Sequence, residues 1–142
     1  MLKVRRAEMS DATSIASLVT QLGYPTGPDD MVDRLKRMLD DPRHTVLVAV
    51  ADNGDVAGMG AACIDHGPEL DGLYARVTGL VVDEKVRGRG VGAFLMQQIE
   101  HWAKEHGADR VTLTSGNYRP EAHKFYDAIG YSATGTRFMK RL

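Results

Sequence analysis

The chain has one cysteine in 142 residues, Cys63, so it forms no internal disulfide and draws its stability from an ordinary packed core. Its length suffices for such a core without metal or bridges, and it carries no internal repeat, low-complexity tract or linker, which points to a single domain over residues 1–142. Apolar runs such as residues 46–51 fall far short of the ~20 residues of a membrane-spanning helix. No N-terminal apolar stretch resembles a signal peptide, and a lone thiol suits a reducing compartment. The expected location is therefore cytoplasmic, with no membrane partner. Eighteen Lys and Arg against nineteen Asp and Glu leave no basic surplus to hold nucleic acid. The five histidines show no metal-ligand spacing with the cysteine or with paired acids, so no metal is expected. Neither Gly-Lys-Ser nor Gly-Lys-Thr occurs, which excludes a Walker A phosphate loop.

Glycine and arginine are instead gathered in one place. The run Val86-Arg87-Gly88-Arg89-Gly90-Val91-Gly92 follows the apolar stretch Gly79-Leu80-Val81-Val82 and precedes an amphipathic segment over 93–106. This pattern predicts a strand, a glycine-rich turn and a helix. At a helix start several backbone N–H groups lack an intrahelical partner and the positive end of the dipole is exposed, so a phosphate finds donors and favourable charge together. Gly88, Gly90 and Gly92 remove side chains that would block its approach. Arg87 and Arg89 add cationic reach, and a pyrophosphate is the expected ligand.

The rest of the chain reads as alternating strands and helices. Residues 2–6 suggest a first strand, and Ser10 an N-cap for a helix with Ile15, Leu18, Val19 and Leu22 on one face, ended by Gly23. A second helix places Met31, Leu35, Met38 and Leu39 on one side and stops before Pro42. Strands over 45–51 and 56–64 flank Asp52-Asn53-Gly54-Asp55, whose Asn-Gly signals an antiparallel hairpin. A strand over 73–82 leads to the glycine turn. The helix behind it repeats Val91, Leu95, Ile99, Trp102 and Ala103 and is capped by Gly107. A strand over 110–114, a short helix from Pro120 to Ile129 stopped by Gly130, and a closing strand over 131–139 complete an α/β domain with a mixed sheet.

Two phosphate-loop readings remain. As Gly88-x-Gly90-x-x-Ala93 the glycines match a dinucleotide fingerprint formally, but residues 83–87 separate the turn from the strand. The one candidate ribose acid, Asp109, precedes the next strand where that fold needs it at the strand's end. As Arg87-x-x-Gly90-x-Gly92 they resemble the acyl-CoA pyrophosphate loop of the GNAT N-acetyltransferase family. The resemblance takes in the strand over 76–82, the loop and its helix, Thr114-Ser115-Gly116-Asn117, and His123-Lys124-Phe125-Tyr126-Asp127-Ala128-Ile129-Gly130-Tyr131, about half the chain in the family's order.

The resemblance implies helices on both faces of a mixed central sheet, with the strands over 73–82 and 110–114 splayed apart around an acyl-CoA cleft. It implies acetyl-CoA as cosubstrate, held by Leu80, Val81, Val82, Arg87, Gly88, Arg89, Gly90, Val91, Gly92, Asn117 and Tyr126. The acetyl group would pass to a primary amine, on a small molecule in preference to a protein N-terminus or lysine, by direct attack in a ternary complex; a homodimer is allowed. Catalysis would fall to the backbone N–H of Val82, where the family's strand bulges near the thioester carbonyl, and to Tyr126 as proton donor to the CoA sulfur. Each of these residues has a plainer reading beside it. Residues 80–82 suit a buried strand, Tyr126 packs a helix with Ala122, Phe125 and Ile129, and Asn117 suits a turn.

The general base is where the match weakens. Many relatives carry Glu or Asp in the strand segment held here by Thr78 and Gly79, and neither of these takes a proton at neutral pH. Asp83, Glu84, His66 and His123 are the remaining candidates, each also at home as a solvated polar residue. The gap keeps open a noncatalytic acyl-CoA-binding module. Acids gather where acceptor loops are expected, namely Asp29, Asp30, Asp33, Glu69 and Asp71, which suits a cationic acceptor as well as a solvated surface. Cys63 and Trp102 lie on apolar faces and read as core.

Overall fold

The structure is a computed structural model that describes residues 1–115 and 120–142. Its elements are β1 (Lys3–Arg6), α1 (Ala12–Leu22), α2 (Pro28–Asp40), β2 (His44–Val50), β3 (Val56–Asp65), β4 (Leu73–Val82), α3 (Val91–Glu105), β5 (Ala108–Thr112) and α4 (Pro120–Ala128). The chain divides into two units, Met1–Thr112 and Leu113–Leu142.

In the first unit the strands lie in the order β1-β2-β3-β4-β5. The first four pair antiparallel and β4 pairs parallel with β5, which makes the sheet mixed. The hairpin between β2 and β3 forms where Asn-Gly predicts it: Gly54 takes φ 89°, a left-handed conformation cheap only for glycine, and the Asn53 side chain accepts a bond from the Asp55 amide at 3.0 Å.

Alternation along the strands sends one set of side chains to each face. Ile15, Leu18, Met31 and Leu35 of α1 and α2 pack on Val46, Val48, Met59 and Val81. On the other face Val91 and Leu95 of α3 pack with Val4, Leu47, Ala49, Leu80 and Val82. Small residues of β3 bring α3 down onto the sheet. A Cβ on Gly60 would lie 2.9 Å from Ile99 Cδ1, and one on Gly58 would lie 3.1 Å from Leu95 Cδ1. Trp102 packs beside Ile64, Ala75, Ala103 and Ala108, and the Cys63 thiol is buried, as their apolar surroundings in sequence suggest.

Three expectations are corrected. Ser10 caps no helix: it lies in a single 3₁₀ turn, Met9–Asp11, and α1 starts at Ala12. The reason is Asp11, whose buried carboxylate accepts two bonds from Arg5, at 2.8 and 3.0 Å, and a third from the Glu8 amide at 2.7 Å. Strand β5 starts at Ala108, two residues early, because Ala108 joins the Ile64 and Ala75 cluster and so fixes the register. The closing strand over 131–139 is absent; those residues form neither helix nor strand, and 132–142 are all exposed. That segment offers a sheet little to bury, since its large apolar residues before the last position are Phe138 and Met139, 92% and 65% exposed.

Candidate functional site

Strand β4 is paired with β3 from Tyr74, opposite Asp65, to Val82, opposite Gly58. On its other edge β5 pairs only with Leu73, Ala75 and Arg76 and ends at Thr112. From Val77 to Val82 that edge has no partner strand among the described residues. Beyond Thr112, β4 runs on alone, so only its arm of the fork that the resemblance implies is present among the described strands.

A bulge lies at the root of the fork. Val77 pairs with Ala62 and Gly79 with Ala61, so Thr78 is an extra residue on β4. It is exposed and is followed by a glycine at which an added Cβ would meet nothing within 4 Å. The family-based expectation set the bulge at Val82, which instead pairs regularly with Gly58. Glycine at 79 lowers the cost of the irregular backbone there, and a glycine inside a strand was the sequence signal for it.

Backbone polarity along the fork follows from one bond. The Asp83 N–H donates to Ala57 of β3 at 2.8 Å. Successive amides of an extended strand point to opposite edges, so the N–H and C=O of Val82 are directed to the open side, and those of Leu80 with them. The Val82 carbonyl accepts Arg87 Nε at 3.1 Å. Arg87 therefore folds back onto the strand end, a contact that sequence gives no sign of.

Beyond Val82 a 3₁₀ turn, Glu84–Val86, is held by the Asp83 carboxylate, which accepts the Lys85 amide at 3.0 Å, and by Gln21 of α1, which accepts the Glu84 amide at 3.0 Å. Gly88 and Gly90 follow with φ 80° and 83°. A Cβ on either would meet nothing within 4 Å, so conformation, rather than crowding by the protein, requires glycine at both. Gly90 is the N-cap of α3, and the first helical bond runs from the Phe94 amide to the Gly90 carbonyl at 3.0 Å. The amides of Val91, Gly92 and Ala93 precede that bond and face the turn, where Arg87, Gly88, Arg89 and Gly90 are all exposed. The open edge at Leu80 and Val82 thus leads toward the exposed turn 87–90 and the helix start, while Val81 and Val91 are buried in the core.

Other predicted residues fall elsewhere. In the second unit, Tyr126 is half-buried on α4, its ring 5.1 Å from Phe125 and 6.0 Å from Tyr131, both edge-on. Asn117 lies outside the described residues. Of the base candidates, Asp83 is occupied by its turn, His123 Nε2 lies 3.3 Å from the Ser115 carbonyl, and Glu84 and His66 are exposed. Asp29 and Asp30 sit in the first turn of α2, where carboxylates complement the helix dipole. Among the described residues no three His, Cys, Asp or Glu side chains gather as a metal site, and no helix is long and apolar enough to cross a membrane.

The family model described as the acetyltransferase (GNAT) family matches residues 11–131. The chain belongs to that family. It is accordingly a GNAT-type acyltransferase. A curated relative, the aminoalkylphosphonate N-acetyltransferase of Salmonella typhimurium, is 28% identical over 145 aligned residues that span 99% of this chain and 91% of the relative. The crystal structure of a GNAT family acetyltransferase from Staphylococcus aureus superposes with a TM-score of 0.84 at 26% identity, over 99% of this chain and 98% of the other. The aminoglycoside N-acetyltransferase AAC(6')-Iy, solved in complex with CoA, has the same fold at a TM-score of 0.88 and 20% identity, over 100% and 95% of the two chains.

Proposed function

We propose that this GNAT chain, folded as one functional domain over residues 1–142 and working in the cytoplasm, moves the acetyl group of acetyl-CoA to a primary amine of a small molecule. The observation that carries the reading is the open arm of the fork. An open β4 edge runs directly into a glycine turn at a helix N-terminus, which suits a ligand with an extended amide-bearing arm and a pyrophosphate at its end. The pyrophosphate lies on the amides of residues 91–93 with Arg87 and Arg89 beside it, the pantetheine arm runs along Leu80, Val81 and Val82, and Asn117 supports it.

In this reading the neutral amine attacks the thioester carbonyl directly in a ternary complex. The Val82 N–H, aimed to the open edge, donates to the oxyanion; one preorganised donor of this kind contributes ~10²–10³ in rate. As the tetrahedral intermediate collapses the C–S bond breaks, and Tyr126 gives its phenolic proton to the departing sulfur. The amine nitrogen then releases its extra proton to water and water returns one to the Tyr126 phenolate, so amine and acetyl-CoA become amide and free thiol with the enzyme unchanged. Acids at 29, 30, 33, 69 and 71 favour a cationic acceptor, so salt should raise its apparent KM.

Gly90→Asp tests the assignment. The new carboxylate opposes phosphate and strains a residue at φ 83°, so acetyl-CoA affinity should fall steeply in a folded variant; unchanged affinity by calorimetry removes the loop from the site. A second reading, a noncatalytic acyl-CoA-binding module, is favoured by Thr78 standing at the root of the fork without a carboxylate. Steady thiol release with any member of a broad amine panel decides against it, and protein N-termini or lysines as better acceptors would redirect the substrate class.

A further inference from the structure

The far end of α3 and the adjoining ends of β1 and β2 border an open hollow of about 300 Å³ that lies apart from the proposed acetyl-CoA placement. Pro42, Leu47 and Trp102 give it an apolar wall, while Arg6, His44, Thr45 and His106 supply its polar groups. Trp102 lies eleven residues along α3 from Val91, which at 1.5 Å per residue is about 17 Å from the glycine turn.

Two of these groups are incompletely matched by the protein. Thr45 is 4% exposed as a residue; its hydroxyl makes no hydrogen bond to a described residue and is accessible from the hollow that it lines. Arg6 donates one N–H to the Leu39 carbonyl at 2.8 Å, which orients the guanidinium, and has no carboxylate partner among the described residues. No acid lines the space. Asp41, 3.7 Å from His44 Nε2, is taken up by Arg43, whose amide donates at 2.9 Å and whose guanidinium lies at 3.4 Å. Glu105 pairs with His101 on the surface of α3. On the apolar side the Trp102 and His106 rings lie with centroids 4.8 Å apart, and His106 Nδ1 is held at 2.8 Å from the Trp102 carbonyl. A flat apolar wall beside an oriented guanidinium and an accessible, unbonded hydroxyl matches a ligand with one aryl ring and one anionic head.

We propose that this hollow is a second ligand site, which takes a small aryl-bearing monocarboxylate. Its carboxylate accepts from Arg6 and Thr45, and its ring rests on Trp102 and Leu47. Trp102 is the chain's one tryptophan, so its fluorescence reports on this site alone. Titration of the full chain with phenylacetate should change Trp102 emission saturably, with a Kd of about 1 mM, and saturating CoA should leave that Kd unchanged. Arg6→Gln should weaken binding at least ~10-fold, and Thr45→Val, which keeps the shape and removes the hydroxyl, ~3- to 10-fold. Phenylacetamide, of like shape without charge, should bind at least ~10-fold more weakly than phenylacetate. No saturable change up to about 20 mM, equal binding of the amide, equal binding by both variants, or displacement by CoA overturns the site. The urea midpoint of each variant separates a lost site from a lost fold, and should Arg6→Gln unfold, Thr45→Val and the phenylacetamide comparison decide the matter.

Discussion

Arg87 Nε donates to the carbonyl of Val82 at 3.1 Å, and this bond joins the cationic turn to the last residue of β4. Because that carbonyl belongs to the open edge of the fork, the bond satisfies the acceptor there and leaves the Val82 N–H as the free-edge donor. On the proposed acetyl-CoA placement, Arg87 is both a charge beside the pyrophosphate and a brace for the Val82 donor. Arg87→Met should raise the KM for acetyl-CoA about 10-fold through the lost charge and also lower kcat, whereas Arg89→Met, with no such brace, should raise KM alone. Steady-state kinetics at saturating amine separate the two, and equal kcat in both variants would reduce Arg87 to a phosphate contact.

Tyr126 is held edge-on between Phe125 and Tyr131, contacts that Phe can keep in its place. Tyr126→Phe should therefore fold normally and bind acetyl-CoA with nearly unchanged affinity while turnover falls about 10²-fold, the scale of a lost general acid. Full activity in that variant would leave Tyr126 a packing residue only.

The Arg5–Asp11 pair governs stability at the start of α1. Hydrogen bonds from Arg5, reinforced by the Glu8 amide and by the Arg5 charge, hold the Asp11 carboxyl below the ordinary carboxylate range in spite of its burial. The unfolded chain therefore binds the Asp11 proton more readily than the native one. Stability from this group is complete above the unfolded pKa of about 3.9 and is lost as pH falls through the lower folded value. Asp11→Ala, which strands the Glu8 amide and the guanidinium, should cost about 2 kcal/mol at pH 7, and urea midpoints should show that difference shrinking below pH ~4. A difference constant with pH would contradict the assignment.

What the sequence makes legible here is what short-range chemistry decides. Strand β4 occupies residues 73–82 as its apolar run predicts, Gly23 stops α1 at φ 114°, and Asn53-Gly54 turns the hairpin. The glycine turn is read correctly because its requirement, a left-handed backbone before a helix, is local to Gly88 and Gly90. Features set by a distant partner are not legible in the same way. Ser10 has the right chemistry for a cap, but the turn is set by Asp11, whose carboxylate is held by Arg5, six residues back on β1 and outside the helix pattern. The start of β5 depends on Ala108 finding Ile64 and Ala75, and the bulge at Thr78 on how Ala61 and Ala62 count against β4. The tail after Tyr131 alternates enough to suggest a strand, yet nothing in its own residues supplies a face worth burying.

The bulge leads to the last prediction. Strand β4 offers no titratable side chain from Val77 to Val82, and Thr78 stands exposed at the root of the fork. If the amine must arrive as free base, a lysine-like acceptor with a pKa of ~10.4 carries a cost of roughly 4–5 kcal/mol at pH 7. The rate at low amine concentration should then rise with unit slope in pH up to the acceptor's own pKa, and weakly basic amines should react best. Thr78→Glu adds a carboxylate at the exposed bulge, in the strand segment where the resemblance implies that many relatives carry theirs. As an exposed change at a bulge it should alter stability by no more than about 0.5 kcal/mol. With a strongly basic acceptor it should raise the rate at pH 7 by about 10- to 100-fold and extend the plateau to lower pH. An acceptor of pKa near 7 should gain little, because it is already largely neutral. A pH profile that Thr78→Glu leaves in place for both acceptors would mean that another group already takes the proton.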